Sequence, residues 1–82
     1  MEGLDIVQQL LEITTKALVD YPEAINICIK TGSLNVFEIR ADTRDHGKII
    51  GKQGKNIAAI RTLFLASLSK NKLRGVLEFV EE

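Results

Sequence analysis

Hydrophobic residues recur with helical spacing over the first twenty residues of the chain. From Leu4 to Val19, apolar residues return every three or four positions, while glutamine, glutamate and lysine occupy the opposite face. This pattern predicts an amphipathic helix. Because Pro22 disfavours the helical conformation in Tyr21, the helix should end at about Val19 or Asp20. We expect its apolar face to pack into the core, although a helix that binds a partner would show the same pattern.

The spacing changes to strict alternation in the next segment. Residues 25–30 and 34–41 alternate in hydrophobicity on either side of Thr31-Gly32-Ser33, which predicts a β-hairpin with a short glycine turn. One face of the hairpin should pack against helices, while the other meets solvent or a partner. The residues expected to face the helices are Ile25, Ile27, Ile29, Phe37 and Ile39. Those expected on the open face are Cys28, Leu34 and Val36.

A short helix is predicted after the hairpin. Asp42 can cap it, and Asp45 at its third position suits the positive end of the helix dipole. The helix should run to about Ile50. Gly47 inside it costs roughly 1 kcal/mol relative to alanine, which predicts a close backbone approach by the neighbouring helix.

The last third of the chain predicts a long helix and a strand. The helix should span Lys55 to about Lys70, and the strand should span Leu73 to Val80. Gly75 within the strand indicates a bulge or a close contact. The helix should bury Ile57, Ile60, Phe64 and Leu68. The strand should turn Leu77 and Phe79 inward, and Val76, Glu78 and Val80 outward.

These elements define a topology. A strand that is reached through two helices should lie parallel to the strand that it left, by a right-handed crossover, while the hairpin is antiparallel. The predicted fold class is therefore α+β, in the order α-β-β-α-α-β. It comprises a three-stranded mixed sheet with three helices on one face, in a single domain over residues 1–82.

Composition sets further limits on the class of protein. The chain has 82 residues, of which 45% are hydrophobic and 27% charged, values that are ordinary for one globular domain. No apolar run approaches the ~18 residues of a membrane span. The N-terminus lacks the basic start of a signal peptide, so we expect a cytosolic protein. Cys28 is the only cysteine, which excludes an internal disulfide and a cysteine-based metal cluster, and no cofactor is expected.

Charge is unevenly distributed along the chain, although the net charge is zero. The segment 40–61 has six basic and two acidic residues, a net of +4, and the remainder has a net of −4. A basic middle of this kind can bind a few phosphates while avoiding strong non-specific attraction. The alternative is a solvated helix face on which basic residues cluster by chance.

Two glycines three positions apart lie between the two predicted helices. Gly51 and Gly54 allow a sharp turn and a close approach of another molecule to the main chain. The turn leads directly into a helix N-terminus, which favours an anion. Because Lys48, Lys52 and Lys55 crowd the same turn, the leading candidate for the partner is a phosphate backbone.

The glycine loop and its surroundings resemble a known family. The run Gly-Lys-Ile-Ile-Gly-Lys-Gln-Gly over 47–54, with two strands before it and a helix and a strand after it, resembles the KH domain, whose GXXG loop clamps single-stranded RNA. The resemblance covers nearly the whole chain and implies the type II order of that fold. Leu18-Val19-Asp20 ahead of Pro22, Ala59-Ile60-Arg61-Thr62 and Val76-Leu77-Glu78 resemble the small bacterial single-KH proteins of the KhpA type.

The resemblance implies RNA binding without catalysis. Loop amides would contact the sugar-phosphate backbone, lysines would add charge, and bases would lie over an apolar groove. Because no aromatic residue lies near the loop, sequence specificity should be low, as suits an RNA chaperone or post-transcriptional regulator. Arg61 could contact phosphate or be an ordinary surface arginine. The expected RNA-binding residues are Lys48, Ile50, Gly51, Lys52, Gln53, Gly54, Lys55, Ile57 and Arg61.

An enzyme is not supported by these residues. Ser67 and Ser69 lack a histidine at a plausible spacing, and no paired carboxylates form a pocket. The loop also lacks the Gly-x-x-x-x-Gly-Lys-Ser/Thr pattern of nucleotide hydrolysis. His46, the only histidine, is better explained as an exposed or capping residue than as a ligand or base.

The alternative function is a protein-interaction module. The open sheet face would carry more apolar surface than a lone domain leaves wet, and such patches mark interfaces. The resemblance likewise implies a homodimer, or a heterodimer with a second KH-containing protein, and it implies neither a membrane nor a small-molecule substrate. The apolar residues expected on this face are Leu34, Val36, Val76 and Val80.

Overall fold

The computed structural model describes residues 3–80, so that residues 1, 2, 81 and 82 of the predicted domain lie outside it. The helices are α1 (Gly3–Lys16), α2 (His46–Ile50) and α3 (Lys55–Lys70). The strands are β1 (Asn26–Lys30), β2 (Asn35–Arg40) and β3 (Gly75–Phe79). Short 3-10 turns occupy Pro22–Ala24, Thr43–Asp45 and Lys52–Gly54. The predicted order α-β-β-α-α-β is confirmed.

The three strands form one mixed sheet in the order β1-β2-β3. The pairing of β1 with β2 is antiparallel and that of β2 with β3 is parallel, as predicted. All three helices contribute to one core on the same sheet face, where the rings of Phe37 and Phe64 meet edge to face at 5.1 Å. Ile25, Ile29, Ile57 and Phe79 are half-buried against it. The buried core residues are Val7, Leu11, Ile27, Phe37, Ile39, Ile49, Ile60, Phe64, Leu68 and Leu77.

The first helix ends at Lys16, earlier than predicted. The backbone N–H groups of Asp20 and Tyr21 donate to the carboxylate of Asp45 at 3.1 and 2.9 Å. These bonds fix the segment that follows α1 to the start of α2. Since α1 has already ended at Lys16, Pro22 does not set its last residue.

The two aspartates ahead of α2 have different roles. Asp42 caps as predicted, because its Oδ1 accepts the N–H of Arg44 at 2.9 Å. Asp45 lies at the start of the helix, as predicted, and has a second role. Its side chain is buried, and it serves as the acceptor for the segment that follows α1.

Of the two glycines predicted to lie at close contacts, only one does. A methyl group on Gly75 would lie 2.8 Å from the carbonyl oxygen of Asn35 and 3.2 Å from the ring of Phe37, so a side chain is excluded there. The pairing of β2 with β3 is continuous, without a bulge. The prediction for Gly47 is wrong, because this glycine is exposed and a methyl group on it would meet no atom within 4 Å.

Of the four apolar residues predicted on the open face of the sheet, two are exposed and two, Val36 and Val80, are half-buried. Leu34 and Val76 are 45% and 39% exposed. Glu38 lies on the same face in β2. It is buried and pairs with Lys30 at 3.2 Å. The register places Glu78 directly beside Glu38 on β3. A charged row therefore crosses the face and interrupts its apolar surface.

Candidate nucleic-acid interface

The loop between α2 and α3 has an unusual backbone conformation. Gly51, Gln53 and Gly54 have φ angles of 78°, 58° and 73°, in the left-handed region that residues with side chains rarely adopt. A methyl group on Gly51 would lie 2.6 Å from Cγ of Asn56, so this position requires glycine for space as well as for conformation. The sharp bend predicted from the two glycines is confirmed. The left-handed conformation of Gln53 was not predicted.

Hydrogen bonds within the loop determine which amides a ligand can reach. The N–H of Gly51 donates to the carbonyl of Gly47 at 2.8 Å, and that of Gly54 donates to the carbonyl of Gly51 at 3.1 Å. The expectation that amides throughout the loop are available is therefore corrected, because the glycine amides stabilise the bend itself. The N–H groups of Lys52 and Gln53 donate to no acceptor within residues 3–80. Two adjacent donors remain at the exposed tip.

Asn56 joins the two sides of the loop, a role that the sequence did not reveal. Its side-chain Nδ2 donates to the carbonyl oxygen of Lys48 at 2.8 Å, which satisfies one of the unpaired carbonyls at the end of α2. The same side chain packs against Gly51. An asparagine two positions after the second glycine is the signal, since its amide can reach back from the start of one helix to the end of the other.

The structure divides the six basic residues of the central segment into two groups. Three form ion pairs with carboxylates, whereas Lys52, Lys55 and Arg61 are exposed and form no ion pair within residues 3–80. The unpaired residues all follow Gly51, at the loop and along α3. The ion pairs are Arg40 with Glu38 at 3.8 Å, Arg44 with Asp42 at 2.8 Å and Lys48 with Asp20 at 2.7 Å.

The paired basic residues are held by more than charge. The guanidinium of Arg44 lies 3.7 Å above the ring of Tyr21 and donates to its hydroxyl oxygen at 2.9 Å. Hydrogen bonds from Arg44 lower the pKa of Asp42 to about 2. A hydrogen bond to Asp20 likewise raises the pKa of Lys48. These side chains connect the segment after α1 to α2.

Apolar surface adjoins the loop on the side of α3. Ile50 and Ile57 are both half-buried, and Arg61 lies one turn beyond Ile57 on the same helix face. His46 is half-buried and caps the turn Thr43–Asp45, because its backbone N–H donates to the carbonyl of Thr43, and its ring packs edge-on against that of Phe79 at 4.9 Å. The described part of the chain contains no cluster of histidine, cysteine and carboxylate side chains that could hold a metal ion. No helix within residues 3–80 has the length and apolar character of a membrane span.

A GXXG loop between two helices, set against a three-stranded mixed sheet in the order α-β-β-α-α-β, defines a KH domain of type II order. The family model described as "KhpA/KhpB, KH domain" matches residues 8–79. The chain belongs to this family.

Individual relatives match over almost their whole length. RNA-binding protein KhpA of Chlamydia pneumoniae is 41% identical over 76 residues, which cover 92% of this chain and 97% of that protein. The protein of the same name from Clostridium acetobutylicum is 39% identical over 74 residues, or 89% and 99% of the two chains. That from Treponema pallidum is 33% identical over 75 residues, or 90% and 94%. No solved structure gives a significant match to the chain.

Proposed function

We propose that this chain binds single-stranded RNA through the tip of the loop at 51–54 and catalyses no reaction. The observation that carries the proposal is the pair of unbonded amides at Lys52 and Gln53, in a bend where Lys52 and Lys55 have no ion-pair partner within residues 3–80. Backbone amides and unpaired cations together suit a phosphate. The relatives named RNA-binding protein support the same function.

The proposed binding mode uses both sides of the bend. The amides of Lys52 and Gln53 donate to phosphate oxygens, and Lys52, Lys55 and Arg61 supply charge. The bases lie over the accessible parts of Ile50 and Ile57, and KH domains take about four nucleotides in this way. Since three cations are available, the salt dependence of the affinity should be shallow, with a slope of about −2 in log K against log [salt].

Low sequence specificity follows from the placement of the aromatic residues. The chain has one tyrosine, three phenylalanines and no tryptophan. Phe37 and Phe64 are buried, Tyr21 has Arg44 over its ring, and Phe79 packs against His46. Because each of these rings is buried or already has a packing partner, stacking should contribute little, and aliphatic contacts discriminate poorly between bases. Such permissive binding suits an RNA chaperone or a post-transcriptional regulator.

The experiment that tests this function replaces the tip of the loop. Lys52→Asp combined with Gln53→Asp should weaken binding of a short fluorescent single-stranded RNA more than tenfold in an anisotropy titration. The control combines Ser69→Asp with Lys70→Asp, which makes the same change in charge about 25 Å away along α3. This control should bind almost normally. If the loop variant keeps its affinity, or both variants lose it equally, the loop mechanism is wrong.

A second function, protein association, is favoured by exposed apolar side chains. These occur on the helices as well as on the sheet, and Ile13, Leu65 and Leu63 are 69%, 53% and 49% exposed. We propose that the chain pairs with itself or with a second KH-containing protein. Sedimentation of the loop variant should show unchanged association, because the loop is separate from these side chains. A monomer at all concentrations, alone and with a KH-containing protein, would contradict this proposal.

A further inference from the structure

Lys48 is the one lysine near the loop that forms an ion pair within residues 3–80. Its Nζ lies 2.7 Å from Oδ2 of Asp20. The backbone at Asp20 is itself fixed, because its N–H donates to Oδ1 of Asp45 at 3.1 Å. The backbone of Asp20 is thus fixed to the start of α2. Its carboxylate can therefore pair with Lys48 without the entropic cost of fixing a mobile segment.

The two sides of the loop consequently differ in charge. On the side of the segment after α1, the carboxylates of Asp20 and Asp45 both act on Lys48, so the local charge is negative. On the side of α3, three cations have no carboxylate partner within residues 3–80. These cations are Lys52, Lys55 and Arg61.

We infer that Asp20 withholds Lys48 from the RNA and directs the phosphate backbone to the side of the loop that carries Lys52, Lys55 and Arg61. This inference rests on the proposed function of the loop. Asp20 is then a positioning residue that sets the path and limits the affinity of the RNA, although it makes no contact with it.

The physical reason is a competition between two anions. A phosphate that approaches Lys48 competes with an existing charge-assisted hydrogen bond at 2.7 Å and meets the repulsion of the carboxylate beside it. A phosphate at Lys52 meets neither obstacle. The path along α3 is therefore favoured by charge alone, before any base is recognised.

Salt dependence distinguishes the lysines, because each neutralised phosphate of a single strand contributes about 0.7 to the slope of log K against log [salt]. A short fluorescent oligoribonucleotide is titrated at several KCl concentrations. Lys52→Met should make the slope shallower by about 0.7, whereas Lys48→Met should leave the slope unchanged. Asp20→Asn should release Lys48, make the slope steeper by about 0.7 and raise the affinity severalfold.

Two further variants make the assignment specific. Adding Lys48→Met to Asp20→Asn should abolish both the steeper slope and the higher affinity, because Lys48 is their source. Glu23→Gln removes a neighbouring exposed carboxylate that forms no ion pair within residues 3–80, and it should change neither quantity. Asp20→Asn leaves intact the backbone N–H at position 20, which donates to Asp45. Thermal unfolding checks that each variant is folded.

The outcomes separate this inference from the proposed function. If Lys48→Met flattens the slope as much as Lys52→Met does, Lys48 already binds phosphate and the inference is wrong. It is also wrong if Asp20→Asn changes neither slope nor affinity. If Lys52→Met itself has no effect, the loop mechanism fails and the role of Asp20 falls with it.

Discussion

The carboxylate of Asp45 accepts the backbone N–H of Tyr21 at 2.9 Å, and this bond joins residues that are 24 positions apart in the chain. The second oxygen of the same carboxylate accepts the N–H of Asp20. Because Asp45 immediately precedes α2, the helix that leads into the loop is fixed to the segment after α1. The orientation of the loop therefore depends on a buried carboxylate that is not itself part of the loop.

Removing that carboxylate should destabilise the fold. Asp45→Ala leaves two N–H groups without their acceptor, which should lower the free energy of unfolding by about 2–4 kcal/mol. Asp45→Asn keeps one oxygen as an acceptor and should cost less. Urea denaturation measures both changes. Wild-type stability in the alanine variant would show that water satisfies these amides equally well.

The glycines around the loop should respond in opposite ways to alanine. Gly47 is exposed and has open space before it, so Gly47→Ala should stabilise the protein by about 0.5–1 kcal/mol through better helix propensity. Gly51→Ala forces a residue with a side chain to adopt a φ of 78° against Asn56 and should destabilise it by about 1–3 kcal/mol. Unfolding midpoints test the pair, and equal effects of the two changes would contradict the assigned roles.

Asn56 should matter for binding more than for stability. Asn56→Ala removes the hydrogen bond to the carbonyl of Lys48, which should cost about 1 kcal/mol of stability and loosen the bend that presents the amides. Asn71→Ala is the matched control, because the amide of Asn71 makes a bond of the same length to the carbonyl of Ser67 at the other end of α3. RNA affinity should fall only for Asn56→Ala. A similar fall for both would indicate a general loss of structure.

Acid should weaken the contribution of Asp42 to the stability of the fold. Its pKa is lowered from 3.8 to about 2 by the hydrogen bonds from Arg44. Since the native pKa is below the unfolded one, the stabilisation is fully present above the unfolded value and is lost as pH falls through about 2. Asp42→Asn should therefore destabilise the protein at neutral pH, with a difference that narrows towards pH 2. Urea midpoints at both pH values measure it, and a difference that is independent of pH would contradict the assignment.

Much of the fold could be predicted from the sequence because it depends on local periodicity. Both ends of α3 are marked locally, by Gly54 before it and Asn71 after it, and its predicted bounds are confirmed. Alternation around Phe37 and Ile39 identified the inner face of the sheet. The pair of glycines located the loop, since few residues tolerate the backbone angles of such a bend.

The details that distinguish the site could not be predicted, because they depend on tertiary contacts. Nothing in the local sequence shows that Asp20 will meet Lys48 across 28 positions. The sequence alone therefore indicates a lysine without an ion-pair partner. The open space beside Gly47 likewise depends on where other elements lie. The left-handed conformation of Gln53 is imposed by the bend, since glutamine has no intrinsic preference for it.

The most direct test of the central claim is an amide chemical-shift titration of the 15N-labelled chain with a short single-stranded RNA. We predict that the largest perturbations fall on the amides of Lys52 and Gln53, which are free of internal hydrogen bonds within residues 3–80, and extend to Lys55 and Ile57 on α3. Perturbations that spare the loop and cluster on the open face of the sheet would contradict the account.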